Sequence, residues 1–162
     1  MRSGHLVPLI VALAGCGLLP EAPPPPPPSV EAATAHLDLV IDAGIAQNFD
    51  RLCELASGTC DTELQGFEHL APTERPIIVD VSLHQPKELD GGAWSGGGVL
   101  FVLCGADGAG EPYESEVLVF DAGDSLLAAA AVFWTGTGVG FLGPGDEGVS
   151  VGEPDPGLAR CP

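Results

Sequence analysis

Apolar residues change their spacing at Pro76, and this change limits the folds that are open to the chain. Between Val30 and Ala56 they recur at about every third or fourth position, whereas from Ile77 to His84 the period is close to two. The first spacing is typical of helices packed on a core, and the second of a half-buried strand. The order predicts an α+β domain, with two or three N-terminal helices packed on a curved, mostly antiparallel four-stranded sheet.

The helical part contains two clear segments and one weaker segment. Ser29 is placed to cap a first helix that ends near Ala46. A second, shorter helix is predicted from Phe49 to Ala56. A third is predicted between Asp61 and Leu70, where Gly66 interrupts the pattern.

Four strands are predicted after Pro76. In the first, Ile77, Val79, Val81 and Leu83 are expected to face one way, and Ile78, Asp80, Ser82 and His84 the other. The run from Val99 to Cys104 is apolar on both faces, which indicates a central strand. Two further strands, Tyr113 to Phe120 and Leu126 to Trp134, would form a hairpin.

Glycine and proline dominate the chain beyond Gly136, so residues 136–162 are predicted to form an irregular tail held by Cys161. Gly138-Val-Gly140-Phe-Leu-Gly143 matches the G-x-G-x-x-G pattern of dinucleotide sites. Such a site needs a helix amino terminus directly afterwards, and Pro144-Gly145 follows instead. We therefore interpret the pattern as part of a glycine-rich tail and expect no cofactor.

The first sixteen residues have the organisation of a secretory leader. A positive start is followed by an apolar run, Leu6 to Ala14, that is too short to span a bilayer. The run closes with Leu13-Ala14-Gly15-Cys16, which resembles the lipobox of bacterial lipoprotein precursors. In that family the cysteine sulfur receives a diacylglycerol and the leader is cut before it. The resemblance implies that residues 1–15 are a signal peptide and that Cys16 is lipidated; an ordinary leader with an incidental cysteine is the alternative.

Six consecutive prolines, Pro23 to Pro28, follow the cysteine closely. A polyproline helix rises about 3.1 Å per residue, so this run would span roughly 19 Å. We interpret residues 16–28 as an anchor and spacer that hold a globular domain, residues 29–135, away from the lipid. A docking peptide for an aromatic groove is the alternative. The expected location is extracytoplasmic, on the bacterial cell membrane, or on the outer membrane where one exists.

Four cysteines remain beside Cys16, namely Cys53, Cys60, Cys104 and Cys161. An even set in an exported chain predicts two disulfides. Sequence alone does not choose among the three possible connectivities. The short interval between Cys53 and Cys60 favours a local bond, which would leave Cys104 to hold the tail through Cys161. A zinc site is the rival interpretation, but this spacing matches no zinc knuckle.

The order of elements, with the run Asn48-Phe49-Asp50-Arg51-Leu52-Cys53 after a long first helix, resembles the NTF2-like superfamily. The resemblance covers roughly Ser29 to Thr135 and implies a cone formed by helices and a curved sheet. Members of the superfamily include small-molecule isomerases and dehydratases as well as noncatalytic binding modules. A cystatin-like sheet wrapped on one helix is the nearest structural rival.

An enzyme of that superfamily would hold its acid or base inside the cone. Asp38, Asp42 and Tyr113 are the candidates for this role. Because Asp38 and Asp42 are one helical turn apart, their carboxylates repel unless they are solvated, which favours the outer face. Trp94 and Trp134 would either line an apolar pocket or belong to the core.

A second set of candidates is Asp80, Ser82 and His84, which are the residue types of a Ser-His-Asp relay on one predicted strand face. Residues i and i+2 of a strand are about 6.6 Å apart, and a working relay draws its members from separate segments. We therefore interpret the three as polar, solvent-facing residues and assign no catalytic residue.

No metal site is predicted. His36, His69 and His84 fall on separate predicted elements, and the acidic residues of the turns lack calcium-loop spacing. These acids are Asp107, Asp121, Asp124, Asp146 and Glu147. We interpret them as solvated turn residues, with weak surface binding of calcium as the alternative.

Charge and the leader together define the expected function. The chain has 5 basic and 23 acidic residues and a net charge of -18, and phosphate binding needs clustered Lys and Arg. We therefore expect no nucleic-acid partner. The expectation is a noncatalytic, membrane-anchored binding or interaction module at the cell envelope, with an envelope protein or a small apolar ligand as its partner. A small NTF2-like enzyme acting on an apolar molecule is the alternative.

Overall fold

The computed structural model describes residues 24–57, 60–88, 94–136, 138–141, 149–152 and 161, with the backbone alone at 88, 94–95, 138–141 and 149–152. The predicted signal peptide and Cys16 lie outside these ranges. Among the helices in the described ranges, none has both the length and the apolar character that a membrane span requires.

Three helices form as the spacing of apolar residues predicts. Helix α1 spans Val30–Ile45, and the side chain of Ser29 caps it by accepting a hydrogen bond from the amide of Ala32 at 3.1 Å. Helix α2 spans Phe49–Leu55. The weaker third segment is divided into helix α3, Cys60–Leu64, and a single 3₁₀ turn, Glu68–Leu70. Gly66, at φ 93°, separates the two because an α-helix cannot continue through that conformation.

The main sheet has four antiparallel strands and is open rather than closed into a barrel. Its strands are β1 (Ile77–His84), β4 (Gly98–Ala106), β5 (Pro112–Asp121) and β6 (Leu126–Ala128), in the spatial order β1-β4-β5-β6. Two short pairs lie outside it: β2 (Lys87–Glu88) with β3 (Trp94–Ser95), and β7 (Gly138–Phe141) with β8 (Val149–Gly152). The α+β class is confirmed, and β1 and β6 are the edges of the sheet.

The helices pack on one face of this sheet and enclose the core. The largest fully buried side chains come from α1, α2, the central strands and the segment after β6. They include Leu37, Ile41, Leu52, Phe101, Phe133 and Trp134. The opposite face of the sheet has a smaller apolar cluster, formed by Leu100, Leu118 and Ala129 with Phe120 against it.

The fourth strand is shorter than the predicted strand from Leu126 to Trp134. Pairing with β5 ends at Ala128, and the chain then continues as irregular structure that is nevertheless buried. Two of its polar groups bond to the helical region: the amide of Ala131 donates to Glu63, and the indole of Trp134 donates to the carbonyl of Phe67 at 3.0 Å. The amide of Ala129 donates to the carbonyl of Leu118 on β5 at 2.8 Å. Burial therefore explains the apolar run without sheet pairing.

The predicted irregular tail contains a two-stranded ladder. Strand β7 covers the first part of the G-x-G-x-x-G pattern and pairs antiparallel with β8. Residues 142–148 and 153–160, including Gly143, Asp146 and Glu147, lie outside the described ranges. The described part of the glycine pattern is thus a strand.

Candidate functional site

Strand β1 differs from its prediction in the side chains that share each face. The register with β4 shifts between Ile78 and Asp80, which leaves Val79 at a bulge. Because directly opposite residues of paired strands lie on the same face, Ile78, Val81 and Leu83 lie on the helix-facing side of the sheet, opposite Leu103, Phe101 and Val99. Ile77, Asp80, Ser82 and His84 lie on the other side.

Four of the five apolar side chains of β1 are exposed, and the fifth, Val79, is half-buried. Exposure is 53% for Ile77, 39% for Ile78, 41% for Val81 and 51% for Leu83. Their partners on β4 are almost fully buried, so the apolar surface begins at the outermost strand. We call Ile77, Ile78, Val81 and Leu83 the β1 patch.

The placement of the helices explains why three members of the β1 patch, Ile78, Val81 and Leu83, are uncovered on the helix-facing side of the sheet. Helix α1 packs on β5 and β6, which lie toward the opposite edge of the sheet from β1. Its link to the β1 side is polar: Arg75, just before β1, donates to Asp38 at 2.7 Å and also to Asp42. This pairing confirms that the two carboxylates lie on the outer face of α1, and their mutual repulsion is offset by one guanidinium.

Among the described strands, β1 has a paired neighbour, β4, on one edge only. The order of the sheet places β1 at one end, and the hydrogen bonds of its inner edge go to β4. An edge strand presents unpaired N–H and C=O groups that can pair with another strand. The β1 patch therefore combines exposed apolar side chains with a backbone able to add a strand.

Ser82 and His84 make a contact that the strand spacing did not predict. The Ser82 hydroxyl and Nε2 of His84 are 3.1 Å apart, and both residues are half-buried. The imidazole of His84 extends back along the strand toward Ser82, so the two side chains meet although residues i and i+2 of a strand are about 6.6 Å apart. Asp80 lies on the same side of the sheet and is exposed.

Tyr113 is the third of the residues considered for an enzyme. Its side chain is in the core, 7% exposed, and its hydroxyl has no hydrogen-bond partner among the described residues. Burial, and secondarily the negative charge of Asp107, raise the pKa of this phenol well above its ordinary value. The three candidate groups are therefore not assembled at one place, since Asp38 and Asp42 are on the outside of α1.

The structure describes the side chain of one of the two tryptophans. Trp134 is 1% exposed and belongs to the core, which excludes it from an open pocket lining. Trp94 lies in β3, and its side chain is outside the described part of the chain.

The cysteines form two disulfides with the connectivity that the spacing favoured. Cys53 is bonded to Cys60, and Cys104 to Cys161, with Cα atoms 5.3 and 5.6 Å apart. The first bond joins α2 to α3, and the second joins the central strand β4 to the end of the chain.

Within the part of the chain that the structure describes, one group of potential metal ligands lies at the second disulfide. The sulfurs of Cys104 and Cys161 and the carboxylate of Glu114 lie within 4.8 Å of one another. A metal needs thiolates, and both sulfurs are committed to a disulfide, so this group is no metal site in the oxidised protein. Glu114 instead accepts a hydrogen bond from the amide of Cys161 at 3.2 Å.

The other predicted polar residues have structural roles where the structure describes them. His36 is buried and bonds to the carbonyl of Leu55 at 2.9 Å. Asp107 and Asp121 accept backbone hydrogen bonds within their own turns, as expected of turn residues. The three histidines considered for a metal site, His36, His69 and His84, lie on α1, the 3₁₀ turn and β1.

No family model, no curated protein and no solved structure matches this chain. The NTF2-like and cystatin-like resemblances remain predictions, and the candidate site depends on the geometry of β1 alone.

The sequence analysis did not predict the β1 patch, because an alternation of apolar and polar residues along a strand predicts one buried face and one solvated face. A signal was available: Ile77, Ile78 and Val79 are three consecutive apolar residues, so both faces of the strand begin with an apolar side chain. In a strand flanked by polar residues, such a run indicates either a strand at the centre of the sheet or an edge strand with exposed apolar side chains.

Proposed function

We propose that this protein is an extracytoplasmic lipoprotein, tethered through Cys16, whose globular domain is a noncatalytic interaction module with the β1 patch as its binding surface. The β1 patch carries the proposal. Long, apolar and open edge strands are normally blocked in soluble proteins by charge, proline or a covering segment. Asp80 is the single charged residue within β1, so the strand is poorly protected against pairing.

The state of the candidate catalytic groups supports a noncatalytic role over the enzyme alternative. Asp38 and Asp42 are solvent-exposed and paired with Arg75. A general acid or base in an apolar cavity would be a desolvated carboxylate. The helix-facing side of the sheet is instead filled by large side chains such as Phe101 and Phe133.

The tether and the compartment are supported by separate features. The lipobox-like residues Leu13 to Cys16 and the proline run specify an anchor and a spacer. Two disulfides are typical of proteins that fold in an oxidising compartment.

Intact mass and peptide mapping of membrane-extracted protein test the tether. We expect a chain that begins at Cys16 and carries acyl groups there, and a Cys16→Ser variant that moves to the soluble fraction. Recovery of an uncut chain with free sulfhydryls from the cytoplasm would overturn the assignment.

Site-specific photo-crosslinking in the full-length protein tests the binding surface. A benzophenone amino acid replaces Leu83 in one variant and Leu39, on α1, in the control. Both leucines are about equally exposed, 51% and 48%, so the control matches the chemistry and accessibility. We expect a discrete adduct from position 83 that a second substitution, Val81→Lys, removes. Absence of any adduct at 83, or the same adducts from 39, would contradict the proposal.

A further inference from the structure

We propose that the partner of the β1 patch is a second copy of this chain, joined by antiparallel β1–β1 pairing with Ser82 opposite Ser82 of the second copy. The proposal rests on the proposed function of β1 as a strand-adding surface and names its occupant. It follows from how the residues of β1 match one another when the strand is reversed.

The register centred on Ser82 brings like faces together on both sides of the joined sheet. Val81 is then opposite Leu83 of the second copy, and both lie on the helix-facing side. Asp80 is opposite His84 of the second copy, and both lie on the other side. By twofold symmetry the dimer therefore contains two apolar pairs and two pairs of a carboxylate with an imidazole.

Three other registers fail to match the faces of the two strands or to set compatible side chains opposite each other. A slip of one residue places Asp80 opposite Leu83, which sets a polar residue from one face against an apolar residue from the other. A register centred on Asp80 places two carboxylates directly opposite each other, which is destabilising. A register centred on Val81 places Ile78 opposite His84, and the bulge at Val79 has put these on different faces.

The ends of the paired segment are also defined. Pro86 has no N–H to donate, and it would be opposite Ile78 of the second copy, just beyond the bulge. Pairing is thus confined to about the seven residues from Val79 to Gln85, a short ladder that buries less than a standard dimer interface.

Charge and tethering set the expected strength. The full sequence has a net charge of -18, and all of its acidic residues follow Cys16, so two tethered copies repel at low ionic strength and salt screens that repulsion. The twofold axis at Ser82 is perpendicular to the sheet, so α1 lies on the same side of the joined sheet in both copies. Tethering of both copies to one membrane would raise the effective concentration of a weak pair.

Cysteine cross-linking of the full-length protein in its membrane tests the register. Directly opposite residues of antiparallel strands have Cα atoms about 4.5–5.5 Å apart, within the range of a disulfide. We expect Ser82→Cys to form a disulfide-linked dimer under mild oxidation. We also expect a mixture of the single variants Asp80→Cys and His84→Cys to form a mixed disulfide dimer. This should be at least about tenfold faster than dimer formation by Asp80→Cys alone. In the Asp80→Cys dimer the two cysteines would be separated by about four residues along the strands, or roughly 13 Å.

Two controls make the result decisive. Ala35→Cys lies on the exposed face of α1 and should not cross-link. Adding Val81→Lys to Ser82→Cys should reduce cross-linking at least about tenfold, because like charges would then flank the pairing axis. Equal cross-linking from positions 35 and 82, or no preference for the 80–84 mixture, would overturn the proposal.

A charge exchange tests the predicted polar pair without cysteine chemistry. We expect Asp80→Lys to weaken self-association in sedimentation of detergent-solubilised full-length protein, and Asp80→Lys with His84→Asp to restore it. Failure of the double variant to recover association would count against this register. A photo-adduct from position 83 that contains another protein and no dimer would overturn the second copy as partner while leaving the strand-adding surface in place.

Discussion

Gly105 and Tyr113 lie directly opposite each other on β4 and β5, and the phenol ring of Tyr113 covers the place that a side chain at position 105 would occupy. A Cβ at 105 would lie 2.7 Å from the Tyr113 hydroxyl oxygen and 2.8 Å from Cζ. Phe133 also packs against this ring, with ring centroids 6.5 Å apart in an edge-to-face arrangement. Glycine at 105 is therefore required by cross-strand packing.

Gly105→Ala should destabilise the protein by roughly 1–3 kcal/mol, because the buried ring cannot move aside without disturbing the core. Urea unfolding measures this loss. Gly96→Ala is the matched control, since Gly96 has open space around its Cβ position and no positive φ. We expect a change within about 0.5 kcal/mol there. Equal losses at both positions would show that the ring contact is not the cause.

Tyr113 should resist ionisation for as long as the protein stays folded. The chain has one tyrosine, so tyrosinate absorbance reports this group alone. Burial raises its pKa above the ordinary value of about 10, so the folded state holds the phenolic proton more tightly than the unfolded state. This contribution to stability is complete below about pH 10 and is lost as the pH rises further.

Tyr113→Phe separates this effect from the rest of the alkaline response. The variant should lose less stability than the parent protein between about pH 9 and pH 11. At neutral pH we expect a change of less than about 1 kcal/mol, because the hydroxyl has no partner to lose among the described residues. Half-titration of folded Tyr113 near pH 10 would be inconsistent with a buried phenol.

The two disulfides should contribute unequally to stability. Cys104–Cys161 closes a separation of 57 residues and Cys53–Cys60 one of 7. In the chain-entropy description the longer loop contributes roughly 4 kcal/mol and the shorter roughly 2 kcal/mol. Guanidinium unfolding of the paired variants Cys104→Ala/Cys161→Ala and Cys53→Ala/Cys60→Ala tests the order. A larger loss from the short loop would mean that local strain or residual structure dominates.

Arg75 should matter more than Arg51, although both form exposed ion pairs. Arg75 bridges Asp38 and Asp42 across 37 and 33 residues of sequence, whereas Arg51 pairs with Glu54 within α2. Arg75→Ala should cost about 1 kcal/mol, and Arg51→Ala no more than about 0.5 kcal/mol. Denaturant titrations at low and high salt measure both losses. Because surface pairs are screened, the Arg75→Ala loss should shrink in high salt, and a salt-independent loss would contradict this account.

Local signals predicted the helices and the cysteine bonds well. Ser29 caps α1 through a contact three residues away, and such contacts depend only on neighbouring residues. The interval from Cys53 to Cys60 favoured the pairing that the structure contains. The end of the last main strand was predicted less well, because an apolar run such as Ala129 to Trp134 is equally compatible with a sheet and with an irregular buried segment.

The geometry of the candidate site could not be predicted from any single segment of the chain. The bulge at Val79 arises from pairing with β4, and it moved Ile77 to the same face as Ser82. The hydrogen bond between Ser82 and His84 depends on a side-chain conformation that residue spacing does not specify.

By itself the sequence determined the α+β order of elements, the helix cap and the oxidised pairing of nearby cysteines, because each depends on short-range preferences along the chain. Tertiary structure alone decided that Val81 and Leu83 are exposed. Alternating hydrophobicity states which side chains share a face, but burial depends on whether another layer covers that face, and the helices pack over β5 and β6 and stop short of β1.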